Sequence, residues 1–174
     1  MSATVRSAER PSLWLVAKTA LFTLVAPACV GTLVPRALAR GAAGTPAADV
    51  WAVAAFVPLA LGAAIYLWCA WDFMAMGRGT PAPIDAPIRL VVRGLYRYVR
   101  NPMYVGVLAM VAGWALWYRS VGIATYAAGL ALLFHAFVRL YEEPALQRRF
   151  GQEYSAYCRQ VHRWLPSRPM SMRV

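Results

Sequence analysis

The sequence predicts an all-α integral membrane protein, a bundle of about four transmembrane helices followed by an amphipathic C-terminal helix. The chain is 60% hydrophobic and 14% charged, with a mean hydropathy of +0.48. A soluble domain carries about 25% charged residues, so this chain has too little polar surface to face water on all sides. Its apolar residues are also grouped into runs that approach the roughly 20 residues a spanning helix needs.

Four apolar runs are the predicted spans, at residues 13–34, 50–76, 103–118 and 121–141. The first run is longer than the apolar core of about 7–15 residues in a signal peptide, so we expect it to remain as an uncleaved span. Only Arg119 and Ser120 separate the last two runs, which predicts a tight helical hairpin. We expect residues 1–174 to form a single membrane domain.

The net charge of +11 comes from basic residues that lie between and after the apolar runs. That placement is typical of loops held at an anionic membrane surface, so we expect no nucleic-acid partner. The segments 77–102 and 142–166 are the most basic, which predicts that both lie in the cytosol together with both termini. The loop with Arg36 and Arg40 is then predicted to lie outside.

The C-terminal tail has a helical pattern of its own. Its apolar residues recur at steps of three and four, which predicts an amphipathic helix on the membrane or over the hairpin. Gly151 is the expected point of interruption. The apolar residues of this pattern are Leu146, Phe150, Tyr154, Tyr157, Val161 and Trp164.

Metal chemistry is not predicted. The cysteines Cys29, Cys69 and Cys158 have no zinc spacing and are expected to be small buried hydrophobic residues. The two histidines are too few for a histidine-rich metal site.

An anion site is predicted at the start of the third span. Asn101 is a good helix N-cap and Pro102 is favoured at the first helical position, so the helix should begin at Asn101. The first turn then presents N–H groups and the positive end of the helix dipole. Arg97 and Arg100 add positive charge beside it.

A cation site is predicted at the end of the fourth span, on the same side of the membrane. Glu142 and Glu143 precede Pro144. Proline disfavours a helical conformation in the residue before it, so the last turn of the fourth span should end at Glu143. Its free carbonyl groups and the two carboxylates would attract a cation. A zwitterion with carboxylate, ammonium and sulfonium groups would fit between the two sites.

Three polar residues, His135, Arg139 and Glu142, share one face of the fourth helix. Arg139 is costly near a bilayer unless it is paired, so a functional role is the default expectation. His135 has an alternative as a helix-to-helix hydrogen bond, and Glu143 as a snorkelling surface carboxylate.

Two further features have more than one interpretation. Asp72, near the end of the second span, is either a substrate contact or an interfacial partner for Arg78. Stripes of small residues on the last two spans are expected to support close helix packing rather than a ligand channel. These stripes are Gly106, Ala109 and Gly113 on the third span, and Ala124, Ala128 and Ala131 on the fourth.

Two motifs resemble a known family. GRGTPAP and LVVRGLYRYVRNPMYVG, within residues 77–106, and EEPALQRRFGQEYSAY followed by RWLP are similar to the isoprenylcysteine carboxyl methyltransferases and the related phospholipid methyltransferases. The resemblance implies a membrane methyltransferase that takes S-adenosyl-L-methionine from the cytosol and acts on a lipophilic or lipid substrate. It also implies a multi-pass protein of a bacterial inner membrane, with no obligate protein partner.

The resemblance further implies site residues. A family substrate arginine corresponds to Val138 here, with Arg139 next to it, and the family's Arg-His-Pro is Arg100-Asn101-Pro102. Asparagine does not titrate near neutral pH, so a general base is excluded at that position. The expected cofactor contacts are Leu90, Val91, Tyr96, Arg100, Asn101, Pro102, Met103, Tyr104 and Glu142.

The predicted reaction is an in-line methyl transfer to a nucleophile on a lipid. A carboxylate acceptor, as in prenylcysteine, needs no base, and Arg139 would orient it. An amine acceptor must lose a proton, and Glu143 or His135 would then be the base. The alternatives are an NADPH-dependent membrane reductase similar to sterol reductases, and a non-catalytic scaffold or transporter.

Overall fold

The computed structural model describes residues 25, 28–41, 50–75 and 90–168. All regular elements in these ranges are helical, which confirms the all-α prediction. Residues 13–24 of the predicted first span lie outside the described residues, as do Arg78 and the rest of 76–89.

The first described element is a π-helical turn, Cys29–Leu33, that continues into α1, Val34–Gly41. It packs against the third and fourth spans. The Tyr126 hydroxyl donates a hydrogen bond to the Val30 carbonyl at 3.1 Å. The Arg36 guanidinium lies 5.0 Å from the ring centroid of Trp114. At this distance the cation and the indole face make a cation–π contact.

Among the described elements, the most extensive contact joins α2, Val50–Ala75, to α3, Pro102–Trp117. Glycines allow the two backbones to approach closely. A Cβ atom on Gly62 would lie 2.5 Å from the Gly106 carbonyl oxygen, and one on Gly113 would lie 2.6 Å from the Leu59 side chain. The predicted packing role of Gly106 and Gly113 is therefore confirmed, and their partner is the second span.

The hairpin between α3 and α4, Val121–Phe137, has the tight turn that the sequence predicts. Arg119 adopts a left-handed backbone with φ of 49°. Ser120 caps α4, because its hydroxyl oxygen accepts a hydrogen bond from the Ile123 N–H at 3.3 Å.

The fourth span does not end at Glu143. It continues through a π-helical turn, Val138–Glu142, into α5, Glu143–Gln160. Pro144 does not stop the helix because it lies in the first turn of α5, where its missing N–H group is not needed. The prediction of free carbonyl groups at Glu143 is therefore wrong, because the chain is helical both before and after this residue. The predicted break at Gly151 is confirmed by its φ of 49° and ψ of −118°.

The amphipathic helix ends at Gln160, so the prediction that it reaches Trp164 is wrong. Residues 161–168 form an irregular, non-helical segment, which we call the strap, that runs beside residues 98–101. The Arg100 N–H donates to the His162 carbonyl at 2.9 Å, and the Ser167 N–H donates to the Tyr98 carbonyl at 2.7 Å. A small core of Tyr154, Tyr157 and Val161 anchors α5 beneath the strap.

Two of the described helices are candidate membrane spans, Val50–Asp72 and the apolar part of the helical run Val121–Gln160, which is α4. Only 17% of the most apolar stretch of each is buried inside the protein, so most of their apolar surface faces outward. Surface of that kind is stable against lipid rather than water. The third helix, α3, is apolar but has only 16 residues. Large apolar side chains exposed on α2 and α4 include Trp51, Phe56, Leu61, Trp68, Leu132 and Leu133.

Candidate functional site

Four chain segments meet at one end of the bundle. They are the end of α2, the start of α3, the π-helical turn after α4, and the strap. The Tyr104 hydroxyl, on the first turn of α3, donates a hydrogen bond of 3.0 Å to Oε2 of Glu142. The start of the third span and the carboxylate after the fourth, which the sequence predicts to act together, are therefore in direct contact.

Glu142 is a partly buried carboxylate. Burial raises its pKa above the ordinary value of 4.5, and the negative charge of Glu143 raises it further, while the Tyr104 hydrogen bond acts in the opposite direction. A positive ligand placed beside this group would therefore relieve an electrostatic cost that the protein bears alone.

Glu143 lies in a different environment. Arg163 donates two hydrogen bonds of 2.7 Å to its carboxylate, and Arg100 pairs with it at 3.0 Å. Burial by itself would raise the pKa of Glu143, but the Arg163 hydrogen bonds and the charges of the nearby arginines give a net lowering. Glu143 is thus held ionised and joins the strap to the start of α3.

Asn101 occupies the N-cap position of α3, but its side chain does not cap the helix. The amide Nδ2 instead donates a hydrogen bond to the Arg163 carbonyl at 3.1 Å. The predicted side-chain cap is therefore wrong, because the strap offers this buried amide a backbone acceptor. Pro102 is at the first helical position, as predicted.

His135 accepts a hydrogen bond at Nδ1 from the Trp164 indole, at 3.1 Å. In a neutral ring with this bond the proton lies on Nε2, so the single lone pair of the ring is already in use. Trp164 also lies against Tyr104, with ring centroids 6.4 Å apart. The strap therefore carries an aromatic side chain to the edge of the Tyr104–Glu142 contact.

Arg139 lies within electrostatic reach of this cluster. Its side chain is exposed, and its charge is one of those that lower the pKa of Glu143. The predicted trio of His135, Arg139 and Glu142 thus lies around one end of α4, and His135 makes the interhelical type of hydrogen bond expected as its alternative role.

The other expected cofactor contacts have varied surroundings. The Tyr96 carbonyl accepts a hydrogen bond of 2.6 Å from the Tyr157 hydroxyl, and burial raises the pKa of Tyr96 well above its usual range. Leu90 packs on the small core beneath the strap, and Val91 is buried. Met103 packs on the main core of the bundle.

Asp72 is 5% exposed, and its Oδ2 atom has no hydrogen-bond partner in the part of the chain that the structure describes. The backbone of Gly94, with φ of +54°, lies over this carboxylate, where a Cβ atom would collide with it. The suggested partner Arg78 lies outside the described residues.

A groove of about 790 Å³ lies between α3 and α4. The alanine stripes predict close packing at Ala109, Ala128 and Ala131, and that prediction is wrong because these residues line the groove instead. The sequence feature that marks the groove is a stripe of alanines on each helix. The same stripes are compatible with two helices in contact and with two helices separated by a gap. The lining consists of Val105, Leu108, Ala109, Ala112, Ala128, Ala131, Leu132, His135 and Trp164.

Within the described ranges, no three His, Cys, Asp or Glu side chains are grouped as a metal site would require. Cys69 is buried, as predicted. Cys29 and Cys158 are only partly buried, and the Cys158 sulfur accepts a hydrogen bond from Arg100 at 2.7 Å.

The structure thus combines apolar helices that face outward with a partly buried, charged cluster at one end of the bundle. The family of phospholipid methyltransferases matches residues 50–153, which is more than half of the chain. The chain therefore belongs to the phospholipid methyltransferase family, as the two sequence motifs predict. No curated protein and no solved structure matches it.

Proposed function

We propose that this protein transfers a methyl group from S-adenosyl-L-methionine to a nucleophile on a lipid, at the end of the bundle where Tyr104 contacts Glu142. The 3.0 Å contact is the observation on which the proposal depends, because it joins the first turn of α3 to a partly buried carboxylate in the π-helical turn after α4. Membership of the family supports methyl transfer to a lipid-like substrate.

The residues at this end fit a zwitterionic cofactor. The partly buried Glu142 carboxylate would hold an ammonium group, and burial raises its pKa because no group in the described part of the chain fully offsets the cost of its negative charge. The N–H groups of the first turn of α3 would bind a carboxylate. The rings of Tyr104 and Trp164 would face a sulfonium by cation–π contact. When bound, S-adenosyl-L-methionine supplies an activated methyl group.

The surroundings of the two candidate bases bear on the acceptor. Glu143 has a lowered pKa and two arginine partners, which makes it a weak proton acceptor. His135 would have to give up its Trp164 hydrogen bond before its lone pair could take a proton. An acceptor that is already ionised, such as a carboxylate, needs neither change, whereas a lipid amine would require His135 to rearrange. Arg139 would orient a carboxylate acceptor.

The arginine distribution supports a cytosolic location for this end of the bundle. Positive residues are concentrated in the segments before α3 and after α4, which the positive-inside rule places in the cytosol. A cytosolic site would have direct access to a water-soluble cofactor. The described arginines of these segments are Arg93, Arg97, Arg100, Arg139, Arg148, Arg149, Arg159, Arg163 and Arg168.

The test combines cofactor binding with lipid methylation. We expect S-adenosylhomocysteine to raise the melting temperature of the protein in detergent, and labelled methyl groups to enter a lipid extract. Glu142→Gln should weaken both without abolishing cofactor binding, whereas Glu153→Gln, an exposed control on α5, should keep both at the natural level. If NADPH stabilises the protein and S-adenosylhomocysteine does not, the reductase alternative replaces this proposal.

A further inference from the structure

The groove between α3 and α4 exists because α3 is fixed elsewhere. Gly106 and Gly113 hold α3 tightly against α2, so α3 cannot move towards α4 without losing that contact. Four of the eight side chains that α3 and α4 turn toward the groove are alanines, which are too small to fill the space between the helices. Ala112 and Ala128 are exposed at the surface, so the groove opens along its side.

The groove has the dimensions of part of a lipid chain. Its lining covers residues 105–112 of α3 and 128–135 of α4. At 1.5 Å per residue each stretch is about 10 Å long, roughly a third of the hydrocarbon thickness of a bilayer. A longer chain would leave through the open side and continue into the surrounding lipid.

One end of the groove is polar and the rest is not. His135 and Trp164 close the end nearest to the site, where they hydrogen bond to each other at 3.1 Å. Trp164 is separated from Tyr104 by 6.4 Å between ring centroids, and Tyr104 contacts Glu142. The exposed Arg139 lies one helical turn beyond His135. An amphiphile with its tail in the groove would therefore have its headgroup at the site.

We infer that this groove holds one acyl chain of the lipid acceptor and that its alanines determine which chains fit. The inference rests on the proposed function, and it adds where the lipid tail binds and which part of the groove selects among acyl chains. Because lipid tails are already in an apolar solvent, the groove gains little from hydrophobicity and selects by shape. The groove should therefore affect which lipid acceptor binds, and how that acceptor is aligned, more than it affects the affinity for the cofactor.

The test fills the groove. Ala131→Phe should raise KM for a long-chain lipid acceptor on the order of tenfold, the scale of discrimination that hydrophobic pockets achieve. It should leave the S-adenosylhomocysteine melting shift unchanged, and a short-chain acceptor should be methylated as by the natural protein. Ala136→Phe is the matched control, since Ala136 is exposed on α4 and does not line the groove.

The outcomes separate this inference from the proposed function. If the protein binds S-adenosylhomocysteine and methylates lipid, but Ala131→Phe behaves like Ala136→Phe, the groove is not the acyl site. If the natural protein has no methyl transfer, a phosphatidylethanolamine with a diazirine in one acyl chain tests the groove directly. Crosslinks concentrated on residues 105–112 and 128–135 support it, and Ala131→Phe should reduce them. Uniform labelling of all lipid-facing helices overturns it.

Discussion

Glu143 lies between the guanidinium groups of Arg100 and Arg163, where the strap meets the start of α3. Replacing Glu143 by glutamine measures how much this cluster contributes to the free energy of unfolding. The change removes the negative charge but keeps the shape, so Arg100 and Arg163 lose their common anion. Charge-assisted hydrogen bonds contribute about 1.5–3 kcal/mol each, but those sharing one carboxylate are not additive. The side chains are 18% and 26% exposed for Glu143 and Arg163, which weakens the pair further.

We therefore expect Glu143→Gln to lower the free energy of unfolding by about 2–3 kcal/mol. For a chain of this size that corresponds to a fall in melting temperature of about 4–12 °C. The assay is thermal unfolding in detergent near pH 7, where Glu143 is ionised because its pKa is lowered. Glu153→Gln on the same helix is exposed and should change stability by less than about 0.5 kcal/mol.

Acid should reproduce the effect of the substitution. Because the folded-state pKa of Glu143 is lowered, its contribution is present above the ordinary carboxyl pKa and is lost as pH falls through the folded value. The stability difference between the natural protein and Glu143→Gln should shrink over that range. Equal melting temperatures for Glu143→Gln and Glu153→Gln at neutral pH would refute the idea that this cluster fixes the strap.

Three other predictions concern the site. Glu142→Gln should raise the melting temperature of the cofactor-free protein, measured near pH 7, because a carboxyl with a raised pKa costs stability when it is ionised. Binding of S-adenosylhomocysteine, measured by calorimetry, should weaken as pH falls from neutral towards the raised Glu142 pKa, beginning above 4.5, and Glu142→Gln should remove this dependence. Gly94→Ala should lower the melting temperature by an amount equivalent to about 1–3 kcal/mol, because alanine is strained at φ of +54° and its Cβ would collide with Asp72. The control Gly129→Ala adds a Cβ in open space and should leave the melting temperature unchanged.

Much of the fold is predictable because hydropathy and chain length act locally. The runs at 50–76 and 121–141 and the short turn at Arg119 and Ser120 need only composition and helix geometry, and the structure has helices at these places. The course of the chain after α4 is not predictable in this way. Pro144 disfavours helix before it but is compatible with the first turn of a helix, and only tertiary contacts decide between the two.

The site shows the same division between local and distant information. The sequence predicts that the start of the third span and the end of the fourth lie on one side of the hairpin, and the structure adds the hydrogen bond between Tyr104 and Glu142. The arginine partners of Glu143 do not follow, because Arg163 is 20 residues away and reaches it only through the fold of α5 and the strap. The groove is missed for the same reason, since alanine stripes do not reveal how far apart the helices lie.

Asn101 explains how the start of α3 can remain available to a ligand. An asparagine at an N-cap ordinarily accepts a hydrogen bond from a first-turn N–H, which satisfies a group that an anion would otherwise use. Here its amide donates to the Arg163 carbonyl, and the strap is fixed by Arg163 and Glu143. The helix end is thus positioned by a distant segment rather than by its own cap. Local stability is given up at the position where the proposed cofactor carboxylate would bind, a pattern that is expected of a binding site rather than of a structural turn.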